Sequence, residues 1–200
     1  MTLLLALLLS SPAQAEGSWN QGMSLHIQGG GLPVADDGLG TLYDHNQWPK
    51  DSGLRFGYSF TEHTELLVTT SASTRSWYAD EMGNIGARLN TFTYGAGARM
   101  VGDSTFHPYA GAQLRLFQAG VRLDGDSDED DNLDQSVTRV FTPGLTGALG
   151  MELRPQPDWA IQPSIFVEAN YTWSLVAQVG LLGPAQFKGL TAQAGVGVRF

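Results

Sequence analysis

From about residue 20 to its end, the chain alternates apolar residues with small or polar ones at every second position, in eight separate stretches. A period of two marks β-strands with unlike faces, because successive side chains leave a strand on opposite sides. The first stretch, about 20 to 30, sets Met23, Leu25 and Ile27 against Ser24, His26 and Gln28. The second sets Leu54, Phe56, Tyr58 and Phe60 against Arg55, Gly57 and Ser59. The third, about 64 to 76, sets Leu66, Val68 and Ala72 against Glu65, Thr69, Ser71, Ser73 and Arg75. The fourth, about 88 to 101, opposes Phe92, Tyr94 and Met100 to Thr91, Thr93 and Arg99. The fifth, about 107 to 118, opposes Leu114 and Leu116 to Gln113 and Arg115, and the sixth, about 137 to 153, opposes Leu145, Leu149 and Met151 to Thr142, Thr146 and Glu152. The seventh, about 159 to 173, opposes Ile165, Val167, Tyr171 and Trp173 to Ser164, Glu168 and Asn170. The last, about 189 to 200, opposes Leu190, Val196, Val198 and Phe200 to Thr191, Gln193 and Arg199. Helical spacing fits almost nowhere.

The joints between these stretches predict how the strands connect. Short joints are expected at 61–64, 102–106 and 154–158, and long ones at 29–53, 77–87, 119–136 and 174–188. Short turns on one rim and long loops on the other belong to transmembrane barrels, and an even strand count returns both termini to the short-turn rim. Segments of about ten residues are tall enough for a tilted strand to cross the hydrocarbon layer. Two prolines, Pro143 and Pro163, fall inside predicted strands, where the missing donor predicts bulges.

Alternation alone fits a soluble, ligand-holding barrel as well as a membrane barrel. The composition of the polar face separates them. A face turned to water is normally rich in Lys, Glu and Asp, whereas here both lysines lie in predicted loops and the face is mostly Gly, Ser and Thr. Such small groups suit a narrow lumen. The charges on that face carry both signs, Arg55, Arg75, Arg99, Arg115 and Arg199 against Glu65, Glu152 and Glu168, a set able to fill an interior with ion pairs. Aromatic residues fall near the two expected interfaces, Phe60, Trp159 and Phe200 at one and Trp77, Tyr78, Tyr171 and Trp173 at the other. The predicted fold is therefore all-β: an eight-stranded antiparallel up-and-down transmembrane β-barrel spanning residues 16–200.

The start of the chain reads as an export signal. An apolar run from Leu3 to Leu9 is followed by Ser10-Ser11-Pro12 and the small-residue triplet Ala13-Gln14-Ala15, which predicts a signal peptide over 1–15 and a mature chain from Glu16. No Lys or Arg precedes the apolar run, which leaves room for a start upstream.

Charge and candidate chemistry narrow the function further. Seven of the twenty carboxylates lie between Asp124 and Asp134, and without them the balance moves from −9 to −2. Nine scattered arginines and two lysines give no footprint for nucleic acid. There is no cysteine, hence no disulfide, thiolate metal site or thiol nucleophile. The acidic run offers hard oxygens at Asp124, Asp126, Asp128 and Asp130, as a weak divalent-cation site would, but Glu129 and Gln135 stand where an EF-hand loop needs Gly and Glu. A solvated acidic loop is the plainer reading. The histidines His26, His45, His63 and His107 are scattered, and neither Gly-x-Ser-x-Gly nor His-Glu-x-x-His occurs. No cofactor is implied.

The ending Ala192-Gln193-Ala194-Gly195-Val196-Gly197-Val198-Arg199-Phe200 resembles the C-terminal assembly signal of bacterial outer-membrane barrels, with Val196, Val198 and Phe200 as its apolar positions. The stretch His107-Pro108-Tyr109-Ala110-Gly111-Ala112 resembles a strand opening in the OmpA/OmpX-like superfamily of small eight-stranded barrels. This resemblance implies a bacterial outer-membrane location with long loops outside and termini in the periplasm. It also implies insertion by the barrel assembly machinery and a surrounding of outer-membrane lipid and lipopolysaccharide. An extracellular partner would be met through the loops. The expected role is structural or surface-interacting; a narrow channel or carrier for small apolar ligands is the first alternative, and a lipid-modifying barrel enzyme the second.

Overall fold

The computed structural model describes residues 22–31, 50–79, 85–103, 106–125, 138–154, 160–178 and 184–200. The chain runs through β1 (Gly22–Gly31), β2 (Lys50–Ser59), β3 (Thr64–Ala79), β4 (Ile85–Val101), β5 (Phe106–Gly125), β6 (Thr138–Leu153), β7 (Gln162–Ser174), the two-residue strands β8 (Ala177–Gln178) and β9 (Pro184–Ala185), and β10 (Lys188–Arg199). Eight of these close into an antiparallel barrel in the order β1-β10-β7-β6-β5-β4-β3-β2, while β8 and β9 pair with each other. Closure falls on β1, where Leu25 stands opposite Phe56 on one side and Val198 on the other. Met23 and Phe200 exchange backbone hydrogen bonds of 2.7 and 2.9 Å, which fixes the two ends of the barrel at one rim. A closed ladder leaves no edge, the condition for strands to sit in hydrocarbon.

The binary pattern becomes an inside-out protein. Leu114 is 72% exposed and Leu149 67%, whereas Arg55 and Glu152 are fully buried. Apolar surface in water costs roughly 25 cal/mol per Å², so a continuous apolar exterior is stable only against lipid. Phe60 and Phe200 lie exposed toward one rim and Tyr171 and Trp173 toward the other. The side chains of Trp77, Tyr78 and Trp159 lie outside the described residues.

Four expectations need correction. The prolines carry no bulges, because β6 pairs in unbroken register with both β5 and β7, and β7 does so with β10. Instead Pro143 lies one residue outside the β6–β7 ladder, which begins at Gly144 opposite Ser174, and Pro163 lies two residues outside its other end, Ile165 opposite Leu153. Pro108 likewise stands just past Tyr109, the last β5 residue paired with β4. Each proline thus faces one side with no ladder bond to lose.

The connection expected at 77–87 shrinks to 80–84, since Trp77 pairs with Ala87 and Ala79 with Ile85. The one expected at 119–136 shrinks to 126–137, because β5 continues against β4 as far as Gly125 opposite Ile85. The joint expected at 154–158 lengthens to 154–161, as β7 begins at Gln162. The contrast of short and long connections therefore holds at 60–63 and 102–105 against 32–49, 126–137 and 175–187, and fails for the other two. Backbone pairing extends a hairpin wherever cross-strand partners exist, whether or not the apolar alternation persists.

Candidate functional site

Inward-pointing residues from every barrel strand meet along the lumen. Near the rim that carries the termini, Glu65 on β3 accepts hydrogen bonds from Ser24 Oγ at 2.7 Å, Arg99 Nε at 2.8 Å and Arg199 Nη1 at 3.2 Å. Arg99 Nη2 also donates to Glu152 Oε2 on β6, so one guanidinium bridges two carboxylates. Arg154 Nε reaches Glu152 Oε1 at 3.2 Å, and Arg199 Nη2 donates to Ser59 Oγ. This lower cluster joins β1, β2, β3, β4, β6 and β10. Its charges lie away from water, where an unpaired ion costs several kcal/mol, and bridging guanidinium forks answer that cost.

A second cluster sits further in. Arg55 on β2 donates to Glu168 Oε1 on β7. Tyr109 donates to Glu168 Oε2 at 2.8 Å, and Asn170 Nδ2 to Glu168 Oε1 at 3.0 Å. The Arg55 guanidinium lies 4.1 Å over the Phe166 ring, and that of Arg99 lies 4.4 Å over Tyr109, which couples the two clusters through cation–π contacts. Arg115 interacts electrostatically with Glu168 and Asp51, while Gln193 Nε2 donates to Asp51 at 3.4 Å.

Glycine makes room for this crowd. A Cβ on Gly57 would run into Glu65 Oε1 and Ser24 Oγ, and one on Gly195 into the Phe166 ring. Both glycines are demanded by close approach in a narrow lumen.

Of the charged residues singled out in the sequence, Arg55, Glu65, Arg99, Arg115, Glu152, Glu168 and Arg199 are all buried in this interior. The Arg75 side chain lies outside the described residues. Sequence reasoning missed Asp51 and Arg154, both assigned to loops, and Tyr109 and Phe166, whereas Gln113, read on the polar face, is buried inside. Parity could have found the first two: Asp51 stands four residues before Arg55 and Arg154 two after Glu152, on the same strand faces. Asp124 lies in β5 opposite Gly86, not in a loop, while Asp126, Asp128 and Asp130 lie outside the described residues. At the seam, Val196 and Phe200 are exposed and Val198 half-buried.

One constellation invites a catalytic reading. His26 Nε2 hydrogen-bonds Ser164 Oγ at 2.7 Å and lies 3.7 Å from Glu152 Oε1. In an acid–base–nucleophile relay the carboxylate orients the imidazole through the nitrogen opposite the nucleophile. Here both partners share Nε2, Nδ1 has no hydrogen-bond partner, and Ser164 and Glu152 are buried. The arrangement is a packed polar contact that also sets His26 edge-on to Phe166, 5.4 Å between ring centroids.

A closed antiparallel barrel with an apolar exterior and an ion-paired interior defines the class: a transmembrane β-barrel. The whole chain, residues 1–200, matches the family model described as the outer membrane protein beta-barrel domain, and the chain belongs to that family. None of the curated proteins is similar enough in sequence to match. Among solved structures, the chain is similar to Ail, the attachment invasion locus protein of Yersinia pestis, in its complex with the heparin analogue sucrose octasulfate, with 17% identity, a TM-score of 0.55, and 90% of this chain and 99% of that one covered. Neisserial surface protein A is similar at 16% identity and a TM-score of 0.56, covering 90% and 96%. OprG of Pseudomonas aeruginosa is similar at 14% identity and a TM-score of 0.53, covering 90% and 97%. At such identities the likeness is one of fold.

Proposed function

We propose that this barrel is a structural or surface-interaction protein of the bacterial outer membrane, with its lumen shut by side chains. The observation that carries this reading is the bridge from Arg99 to both Glu65 and Glu152 beneath the Arg55–Glu168 pair. Two stacked layers of buried ion pairs leave an ion no hydrated path, because passage would strip charges from partners that burial makes costly to separate. Export follows from the signal read over residues 1–15, and insertion from recognition of Val196, Val198 and Phe200 by the assembly machinery. The long connections face outward among lipopolysaccharide, and the termini face the periplasm.

The partner lies outside the cell. Ail was crystallised with a polysulfated sugar, but the seven carboxylates between Asp124 and Asp134 would repel such a ligand, so a neutral or cationic partner suits this chain. The reading is non-enzymatic, since the His26–Ser164 contact lacks relay geometry and access. Planar-bilayer recording of purified protein tests the shut lumen: a flat baseline is expected, and discrete conductance steps would contradict it. An epitope inserted at Ser127 should be reached by antibody on intact cells, and labelling only after permeabilisation would invert the orientation.

A further inference from the structure

The described ends of the connection between β7 and β10, residues 175–178 and 184–187, are held at the barrel mouth. Ser174, the last residue of β7, holds the second of them at two points: its carbonyl accepts from Gln186 Nε2 at 2.7 Å and its hydroxyl oxygen accepts from Phe187 N at 2.9 Å. On the other side, Leu175 N donates to the Pro143 carbonyl at 3.0 Å, and Thr142 Oγ1 donates to the Leu175 carbonyl at 2.8 Å. These bonds carry Phe187 inside, where it is 1% exposed. Its ring lies flat on that of the fully buried Phe117, with centroids 4.5 Å apart and planes 11° from parallel.

Phe117 stands two residues from Arg115 on the same face of β5, on the side away from the termini. Beneath the aromatic pair the lumen turns polar and incompletely satisfied. Arg115 Nε, Asp51 Oδ1, Gln193 Oε1, Gln28 Oε1 and Asn170 Oδ1 are buried and have no protein hydrogen-bond partner. Four of these residues are linked: Gln193 donates to Asp51, Arg115 interacts with Asp51 and Glu168, and Asn170 donates to Glu168, which stands opposite Gln193. Buried donors and acceptors left without partners are the condition under which interior water is retained; others, on His26, Arg55, Thr93 and Arg99, lie elsewhere in the lumen. Nearer the termini, Arg99 bridges Glu65 and Glu152.

We propose that Phe187 is a removable plug, closing the long-connection mouth over a hydrated polar chamber lined by Asp51, Arg115, Asn170 and Gln193. The plug directly precedes β10 and is held to the barrel by Ser174, beside β8 and β9, which lie outside the barrel ladder and pair with each other. Unseating it therefore breaks no barrel strand pairing. The chamber then admits water and small hydrophilic solutes from that mouth alone, with the ionic layer still shut behind it. This rests on the shut lumen proposed above, and not on which side of the membrane the long connections occupy.

The chain has no cysteine, so one introduced thiol is a unique probe. Gln193→Cys places it in the chamber, and Ser164→Cys places it in the lower cluster beside His26. The reaction of each with a small cationic methanethiosulfonate is followed in detergent micelles, where both mouths are open to reagent whatever the orientation in cells. At 193 the thiol should react slowly with Phe187 present, and Phe187→Ala should accelerate it on the order of tenfold. Phe187→Leu, which keeps apolar bulk, should accelerate it less. The thiol at 164 should react at a rate indifferent to residue 187. Should Phe187→Ala fail to give the far-ultraviolet β signature, Ser174→Ala, which removes the hydroxyl acceptor of Phe187 N, should give the same selective acceleration. Equal rates at 193 with and without the plug would overturn the proposal, as would parallel acceleration at both positions, which would mean a loosened barrel. A reaction in bilayers or micelles that is already fast at 193 with Phe187 in place would show an open mouth and overturn it too.

Discussion

Arg55 on β2 and Glu168 on β7 stand 113 residues apart in sequence and meet inside the barrel, Nη2 to Oε1, with both side chains excluded from solvent. Tyr109 from β5 holds the other carboxylate oxygen, so one glutamate ties together three separate parts of the barrel wall.

Removing one member of this pair strands its partner. Glu168→Ala should destabilise the barrel by about 3–5 kcal/mol, the cost of an uncompensated buried charge. The double change Arg55→Met with Glu168→Leu, which removes both charges and keeps volume, should recover most of that loss. Reversible urea unfolding in lipid vesicles measures all three proteins. If the double variant is no more stable than Glu168→Ala, buried charge is not what the single change exposes.

The narrow lumen makes two glycines unequal. Gly57→Ala drives a methyl group into Glu65 and Ser24, whereas nothing stands within 4 Å of a Cβ built on Gly147. Overpacking of this kind costs about 1–3 kcal/mol, so Gly57→Ala should lower the unfolding midpoint and Gly147→Ala should leave it in place or raise it. Equal shifts would place both glycines in the same environment.

The barrel was legible in the sequence because its outward face keeps a strict period of two, and each shift of one residue would turn a strand inside out. What lay beyond that pattern was the inner face, which is not uniformly polar. Phe117, Phe166 and Leu67 point inward with almost no exposure and break the binary alternation. Phe166 earns its place as the platform for Arg55 and the neighbour of His26, a role visible only when β1, β2 and β7 are brought together. The charged set could be enumerated strand by strand, but its pairings depend on the axial stagger between strands. Nothing in Glu168 itself indicates that it meets Arg55 from β2 while Arg99 from β4 takes Glu65 and Glu152. The prolines misled for a similar reason: a donor matters only where a ladder needs it, and the ends of the β6–β7 ladder are set by its neighbours.

Phe200 closes the seam through its backbone and exposes its ring at the rim. Deleting it removes the two hydrogen bonds to Met23 together with the terminal aromatic of the assembly signal. The expected result is less barrel in the outer membrane at low expression, with the remainder degraded or periplasmic, as read by membrane fractionation and immunoblotting. Unchanged assembly would mean that neither the seam nor the signal depends on this residue.

The assignment of one face to lipid and the other to the lumen underlies every other claim, and adjacent residues in β10 test it. Ala194 is exposed on the outer surface and Gln193 is buried inside, hydrogen-bonded to Asp51. Arginine on the lipid face near mid-membrane costs about 2–4 kcal/mol, whereas at 193 it reaches Asp51 and Glu168 and is penalised chiefly for bulk. Reversible unfolding in lipid vesicles, on protein that fractionates with the outer membrane, should show Ala194→Arg to be more destabilising than Gln193→Arg. The opposite order would mean that the strand presents its other face to lipid, and the ion-paired interior described here would be wrong.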